Sequence, residues 1–453
     1  NTQMKVTHEN NDALNATLTV KVEHADYNNK VEQSLKDVRK KAVIKGFRPG
    51  HAPASLINKM YRKSALVDEV NKLVSESISK YIVEQKLNIL GEPLPSEKQG
   101  DIDWDAQKDF DFLFDLALAP EFEVKLSKRD KVPYYTIKVD EKMRESYIES
   151  ISGRYGSYQP AEKADGESLL KATLTELNAD ESPKEDGLTV EDGLISVMLV
   201  ADEAEKAKLN GSKVGDVMVI DVTKAFPNET DRASLLSTAK ENLASMGPLF
   251  QATITEVKQY VKAEVNQELY DKLYGEGAVT TEEEFQKRVD ADIQMNLKSD
   301  TERKFYTDVR HKLINKFGIE LPKEFLVRWL VTINEGKYTT EQVEKDYPHF
   351  EDDLKWQLIR DKIAAEQEFK AEEQELVSMA KGFIANQMMQ YGMEQLPEEF
   401  IEKYANDLLT KNEERRKLAE RVIENKVIEW LKKTVKLDEK EVEFEKFKEL
   451  INA

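Results

Sequence analysis

The chain has no cysteine. That excludes a disulfide framework and any thiol chemistry, and it agrees with a reducing compartment. It also lacks a run of about 18 apolar residues that could cross a bilayer, and its first residues do not follow the basic-then-apolar pattern of a signal peptide. The expectation is a cytoplasmic protein with no membrane partner. Histidine is scarce, with only His8, His24, His51, His311 and His349, and no pair has the i, i+4 spacing of a helical zinc site. Neither a Gly-rich phosphate loop of the P-loop or dinucleotide type nor a Gly-x-Ser-x-Gly elbow is present, which argues against an ATPase or hydrolase. Carboxylates abound but define no pocket, so no catalytic residue, metal or cofactor is predicted. The acidic stretch 178–187 lacks the alternating ligands and terminal Glu of a calcium loop.

What is present is length and charge. The 453 residues suggest about three domains. Hydrophobic content of 40% supports packed cores, while 34% charge with 8% aromatics points to a helix-rich protein with much solvated surface. The net charge of −20 works against general coating of nucleic acid, and DNA is not an expected partner. One island runs the other way. Between residues 36 and 63 stand nine Lys/Arg (Lys36, Arg39, Lys40, Lys41, Lys45, Arg48, Lys59, Arg62, Lys63) against a single acid, Asp37. At its centre, Gly46-Phe47-Arg48-Pro49-Gly50-His51-Ala52-Pro53 places an aromatic, a guanidinium and a stiff backbone in one short loop. Such a patch suits salt-sensitive, oriented contact with one phosphate-rich or acidic site.

Periodicity divides the rest. Leu14, Ala16, Leu18, Val20 and Val22 alternate as a strand, and Asp26 is placed to cap a helix carrying Val31, Leu35, Val38 and Ala42. After the loop, Pro53 starts a short helix to Lys63, and Ser64 caps a second with Val67, Val70, Val74, Ile78 and Ile82, which Gly91-Glu92-Pro93-Leu94-Pro95 ends. Phe110, Phe112, Phe114, Leu116 and Leu118 form an apolar strand able to pair with the first and close an α+β unit. An extended connection and a helix over 141–154 follow. Residues 161–260 then show short β-like runs at 169–177, 194–199, 217–222 and 251–257. Beyond residue 261 the period is helical, with Phe285, Val289, Phe305, Val309, Leu313 and Phe317 on one track stopped by Gly318. Helices restart at Leu321-Pro322 and Leu396-Pro397. The charged segment 351–391 reads as projecting arms that carry Phe369, Leu376, Met379, Phe383, Met388, Met389, Tyr391 and Met393, apolar groups suited to irregular partners.

The motif Gly46-Phe47-Arg48-x-Gly50-x-x-Pro53 after a basic helix resembles the ribosome-binding signature of the bacterial trigger factor family. The resemblance extends through the order of domains to the ending Leu437-Asp438-Glu439-Lys440-Glu441. It implies a multidomain α+β protein: an N-terminal α+β ribosome-binding domain (1–119), a linker with a helix (120–160), a small β-rich FKBP-like domain (161–260) and a large all-α domain with extended helical arms (261–453). The function it implies is that of an ATP-independent chaperone docked at the ribosomal exit tunnel, touching a ribosomal protein and rRNA, and holding nascent or unfolded polypeptides. The family also suggests dimerisation of the free protein. Docking is expected to use Gly46, Phe47, Arg48 and Gly50 with Lys41 and Lys45, and substrate holding Phe383, Met388, Met389, Tyr391 and Met393. Pro49 stands where the family usually has a basic residue, which shifts the docking onto Phe47 and Arg48.

The family's FKBP-like domain is a peptidyl-prolyl isomerase with an aromatic cup. Here 209–216, the strand through Asp221, Phe226-Pro227 and Phe250 follow that pattern. Ala172-Thr173-Leu174-Thr175-Glu176 replaces its Asp-Phe-Thr-Gly segment, no Pro-Gly-Phe-Glu helix start occurs over 202–209, and Thr230 replaces a tyrosine. Losing those aromatics removes most of the surface that would desolvate a prolyl bond and stabilise its twisted form. The expectation is therefore a structural or substrate-holding relic with weak or absent isomerase activity; an active isomerase with a helical substrate-recruiting domain is the alternative.

Overall fold

The structure is a computed structural model and describes residues 4–393 and 396–452. Strands β1 (Lys5–Asn10) and β2 (Asn15–Val22) open the chain, and the alternation in β2 buries Ala16, Leu18, Val20 and Val22. Helix α1 (His24–Lys41) begins earlier than Asp26. That residue sits in the third helical position, where its carboxylate accepts the Glu23 N–H at 2.7 Å.

A single helix of 31 residues, α2 (Ala54–Glu84), replaces the two that Ser64 was expected to separate. The stripe Ile57, Ala65, Val70, Val74 and Ile78 runs unbroken through the serine, so packing overrides the local capping preference. Pro53 is the N-cap of this helix. Nor does α2 reach Gly91: residues Ile89–Pro95 are strand β3, an edge strand with a register shift that tolerates Pro93. With β4 (Phe110–Leu118) the sheet order is β1-β2-β4-β3, and β4 pairs antiparallel with β2 as the sequence suggested.

The stretch read as an extended connection contains β5 (Lys131–Ile137), followed by α3 (Glu141–Arg154), capped by Asp140 through the Met143 N–H at 2.8 Å. The β-rich region comprises β6 (Ser157–Pro160), β7 (Leu169–Glu176), β8 (Thr189–Ser196), α4 (Glu203–Leu209), β9 (Val217–Asp221), α5 (Val222–Ala225), α6 (Glu229–Leu235) and β10 (Leu249–Val261). β10 lies between β7 on one edge and β6 with β9 on the other. The run expected at 194–199 is displaced, since β8 ends at Ser196 and a 3-10 turn takes residues 197–199.

Helices then dominate: α7 (Gln267–Tyr274), α8 (Glu282–Phe317), α9 (Lys323–Ile333), α10 (Thr340–Glu366), α11 (Glu373–Gln390), α12 (Glu398–Thr410) and α13 (Asn412–Thr434), then β11 (Lys436–Val442), which pairs with β5, and α14 (Phe444–Asn452). Gly318, at φ +54°, follows the last residue of α8, and Pro322 and Pro397 are the N-caps of α9 and α12.

Two compact units result. One joins residues up to Tyr134 with Arg303–Glu439; the other joins Tyr135–Glu302 with residues from Lys440 onward. Inside the first, α9 seats on the N-terminal sheet: Arg328 donates to Asp115 at 3.0 Å and to the Pro95 carbonyl at 3.1 Å. Gly91 meets the Trp329 indole so closely that a Cβ would stand 2.9 Å from the ring. Its glycine serves close approach, not helix termination. Inside the second, α3 packs on the first half of α8, where Arg144 pairs with Asp290 and the phenols of Tyr147 and Tyr274 both donate to Asp292.

Candidate functional site

α1 delivers Arg39, Lys40 and Lys41 in its last turn, where cations oppose the partial negative charge of the helix end. The loop that follows is pinned at both feet. Ile44 packs against the core, and buried Ala52 presents its carbonyl to Arg39 Nε at 2.8 Å. Between them, the Phe47 N–H donates to the Ile44 carbonyl and the His51 N–H to the Arg48 carbonyl, both at 3.0 Å. Gly46 (φ +95°) and Gly50 (φ +85°) supply the left-handed backbone these turns require. Lys45, Gly46, Phe47, Arg48 and Pro49 are all exposed on a loop whose ends are fixed.

Ion pairing sorts the basic island. Lys40 pairs with Asp37 at 3.1 Å, Arg62 with Glu32 at 2.8 Å and Lys63 with Asp105 at 2.7 Å. The hydrogen bond that Lys40 donates lowers the Asp37 carboxyl below its usual range, and donating to Asp105 raises the Lys63 ammonium. Among the described residues, Lys36, Lys41, Lys45, Arg48 and Lys59 have no ion-pair partner. The loop therefore presents an uncommitted guanidinium beside a phenyl ring that is 42% exposed. Val43, 83% exposed just after α1, joins them. Sequence reading passed over it because Val43-Ile44 carries no sign of which residue turns inward.

The arm helices hold the second group. α11, α12 and α13 share a small core of Leu376, Ala380, Ala405, Leu409, Leu418 and Val422. Leu376 is thus core, whereas Phe383, Met389, Tyr391 and Met393 are exposed and Met388 is half-buried. Phe400 and Tyr404, one turn apart on α12 with ring centroids at 5.9 Å, are also exposed. Their spacing reads equally well as a buried stripe. Between α11 and α13 lies a groove of about 880 Å³ with Phe369, Met379, Phe383 and Trp430 in its wall.

In the β-rich region Phe250 and Phe226 turn inward. Phe250 on β10 is fully buried opposite Glu176 and Ile220, and Phe226 packs against the same core. The segment Ala172–Glu176 is part of β7, with Ala172, Leu174 and Glu176 all buried. Glu176 is satisfied at each oxygen: Oε1 accepts from Lys184 Nζ (2.6 Å) and the Gly247 N–H (3.1 Å), Oε2 from the Leu188 N–H (2.9 Å). Burial raises this carboxyl, but the hydrogen bonds from Lys184 and the two amides outweigh it and hold the group below its usual range. Thr230 sits in the first turn of α6, donating its N–H to Asn228. Leu194, Met198, Leu199, Val214 and Val217 of this region are exposed, a feature the sequence reading did not isolate. Among the described residues no helix is long and apolar enough to cross a membrane, and no His/Cys/Asp/Glu cluster is arranged to hold a metal.

Three family models match in chain order: Bacterial trigger factor protein over residues 4–151, the Probable trigger factor FKBP-like domain over 158–262, and the Probable trigger factor C-terminal domain over 301–451. The trigger factor of Francisella tularensis subsp. novicida (strain U112) is 25% identical over 458 residues, 97% of each chain. That of Shewanella woodyi (strain ATCC 51908 / MS32) is 26% identical over 476 residues, 98% of each. A solved structure described as "Promiscuous Substrate Recognition in Folding and Assembly Activities of the Trigger Factor Chaperone" shares the fold, with TM-score 0.54 at 17% identity over 94% of this chain and 99% of that one. Matched region by region along nearly its whole length, the chain belongs to the bacterial trigger factor family of chaperones.

Proposed function

We propose that this ATP-independent chaperone works in the cytoplasm, docks beside the ribosomal exit tunnel through Phe47 and Arg48, and holds nascent or unfolded polypeptide on its helical arm. The observation that carries the docking is the pairing of an exposed Phe47 with an unpartnered Arg48 on a loop fixed at both ends. Phe47 inserts as an apolar anchor into a ribosomal protein. Arg48 makes forked hydrogen bonds to a carboxylate or an rRNA phosphate. Lys41 and Lys45 supply attraction from nearby, and Pro49 lowers the cost of ordering the loop.

We assign holding to Phe383, Met388, Met389, Tyr391 and Met393, and extend it to Phe400 and Tyr404, a reading supported by the exposure of those two rings. Scattered apolar groups on a charged surface bind many sequences weakly and release them as they bury their own apolar area. The same exposed groups give the free chain a surface for dimerisation. The FKBP-like region serves as a scaffold with weak or absent isomerase activity, a reading supported by the inward course of Phe250 and Phe226.

Co-sedimentation with ribosomes at low and moderate salt tests the docking. The Phe47→Ala/Arg48→Ala variant is expected in the supernatant under conditions that pellet the wild type; equal pelleting of both would remove the loop from the account. For the third region, the full chain is expected to leave proline-limited refolding at its uncatalysed pace of tens of seconds or more.

A further inference from the structure

The fold assembles a second basic surface from three segments far apart in sequence. The turn leading into β5 brings Lys128, Arg129 and Lys131, the last turns of α8 bring Lys312 and Lys316, and the end of α13 with the start of β11 brings Lys433 and Lys436. Buried Asp130 ties the three together. Its carboxylate accepts from Lys316 Nζ and from the Ser127 N–H at 2.9 Å, and its carbonyl accepts from the Lys436 N–H at 2.8 Å. Two residues earlier, Lys128 Nζ donates to the Lys433 carbonyl and, at 2.8 Å, to that of Val435. Burial raises the Asp130 carboxyl, but Lys316, the Ser127 amide and the nearby Lys312 ammonium outweigh it. Arg129, Lys131, Lys312, Lys433 and Lys436 are exposed and, among the described residues, have no ion-pair partner. Seven cations against one carboxylate leave 7 − 1 = +6 in a chain of net charge −20. The C-termini of α8 and α13, each carrying about half a negative charge, offset only about one unit of it, and Arg129, Lys131 and Lys436 belong to neither helix.

What the surface lacks selects its partner. Among the described residues of 121–137, 303–320 and 429–440, no large apolar side chain is exposed. A protein interface or a membrane surface would call for an apolar anchor, and single-stranded nucleic acid for aromatic rings on which bases stack. The phosphate backbone of a duplex needs only cations. We propose that this surface is a second RNA contact, separate from the loop at Phe47, that binds the backbone of double-stranded RNA without reading its sequence. The contact uses neither Phe47 nor Arg48 and so goes beyond the docking proposed for that loop. It is weak and strongly salt-dependent, because the acidic body repels a polyanion at long range while the local cations release its counterions.

The test titrates the full chain, with the loop intact and as Phe47→Ala/Arg48→Ala, into a fluorescein-labelled RNA duplex of about 16 base pairs, read by anisotropy between about 50 and 200 mM salt. Both chains are expected to bind at the lowest salt. In the Phe47/Arg48 background, adding Arg129→Gln/Lys312→Gln/Lys436→Gln is expected to weaken binding about tenfold at the lowest salt and to reduce the slope of log affinity against log salt by about two to three, close to 0.9 per charge removed. The charge-matched control Lys213→Gln/Lys224→Gln/Lys240→Gln, in the same background, is expected to stay within about twofold with its slope unchanged. The slope does not depend on the fraction of folded protein, so partial misfolding cannot imitate the result. An unlabelled duplex is expected to compete better than a poly-glutamate peptide of equal charge. No duplex binding by the Phe47/Arg48 variant, an equal loss in the two triple variants, an unchanged slope in the first of them, or competition by poly-glutamate as effective as by the duplex overturns the proposal. Ribosome pelleting of the wild type against the Phe47/Arg48 variant is a separate measurement, so docking through the loop stands or falls apart from this surface.

Discussion

Gly50 takes φ +85° and Gly46 φ +95° between turns that aim Phe47 and Arg48 outward. No neighbour blocks a Cβ at either position, since the nearest atom to Gly50 is the Lys40 carbonyl at 3.9 Å. The cost of alanine is therefore conformational, about 1–2 kcal/mol per site. Gly46→Ala/Gly50→Ala is expected to weaken ribosome binding by about tenfold or more while thermal unfolding stays within a few degrees of the wild type; binding at wild-type strength would show that the loop conformation is unimportant. Glu176 offers a second test at this scale. Its folded-state pKa is depressed, so its contribution is present above the ordinary value of 4.5 and is lost as pH falls through the folded value. Glu176→Gln keeps the shape but weakens three charge-assisted hydrogen bonds, a loss of about 2 kcal/mol near neutral pH. Denaturant unfolding should show the gap between variant and wild type closing as pH falls below the ordinary carboxylate range.

The elements show where local sequence signals succeed and where packing overrules them. β2, β4, α8 and the proline-started α9 and α12 were legible because each carries a clean period or a breaker that nothing contradicts. Ser64 was misread as a cap because its preference is local, whereas the stripe from Ile57 to Ile78 is fixed by the sheet beneath it. Ser64→Ala is accordingly expected to be neutral or to stabilise by about 0.5 kcal/mol in chemical denaturation, where a true N-cap would lose about 1 kcal/mol.

β3 was hidden because Gly91 and Pro93 are breakers in sequence, yet an edge strand accommodates both and Trp329 requires the first. Gly91→Ala should cost about 2 kcal/mol or more through its positive φ and the indole contact, read as a changed tryptophan emission and faster proteolysis. On the arm, Phe400 and Tyr404 escaped notice because a one-turn aromatic spacing describes a buried face as well as an exposed one. Phe400→Ser/Tyr404→Ser is expected to reduce aggregation suppression while leaving thermal stability within about 0.5 kcal/mol of the wild type.

Across the whole molecule, the proposed docking loop and the proposed holding surface come from distant parts of the sequence. Among the described residues, cations without an ion-pair partner gather at the loop after α1, and exposed Met and aromatic side chains gather at the end of α11 and the start of α12. Both groups were legible as residue types, because neither a basic island in an acidic chain nor a methionine cluster needs a fold to be noticed. Which members face solvent was not legible, since exposure depends on partners far along the chain, as with Leu376 in the arm core and Val43 beside the loop. Ribosome binding should weaken steeply as salt rises, because phosphate contacts release counterions, whereas holding through apolar groups should change little.

If docking and holding are separate, suppression of aggregation of a denatured protein by the Phe47→Ala/Arg48→Ala variant, free of ribosomes, is expected to be indistinguishable from that of the wild type. Loss of suppression in that variant would contradict the separation, because the loop would then be part of the surface that holds the substrate.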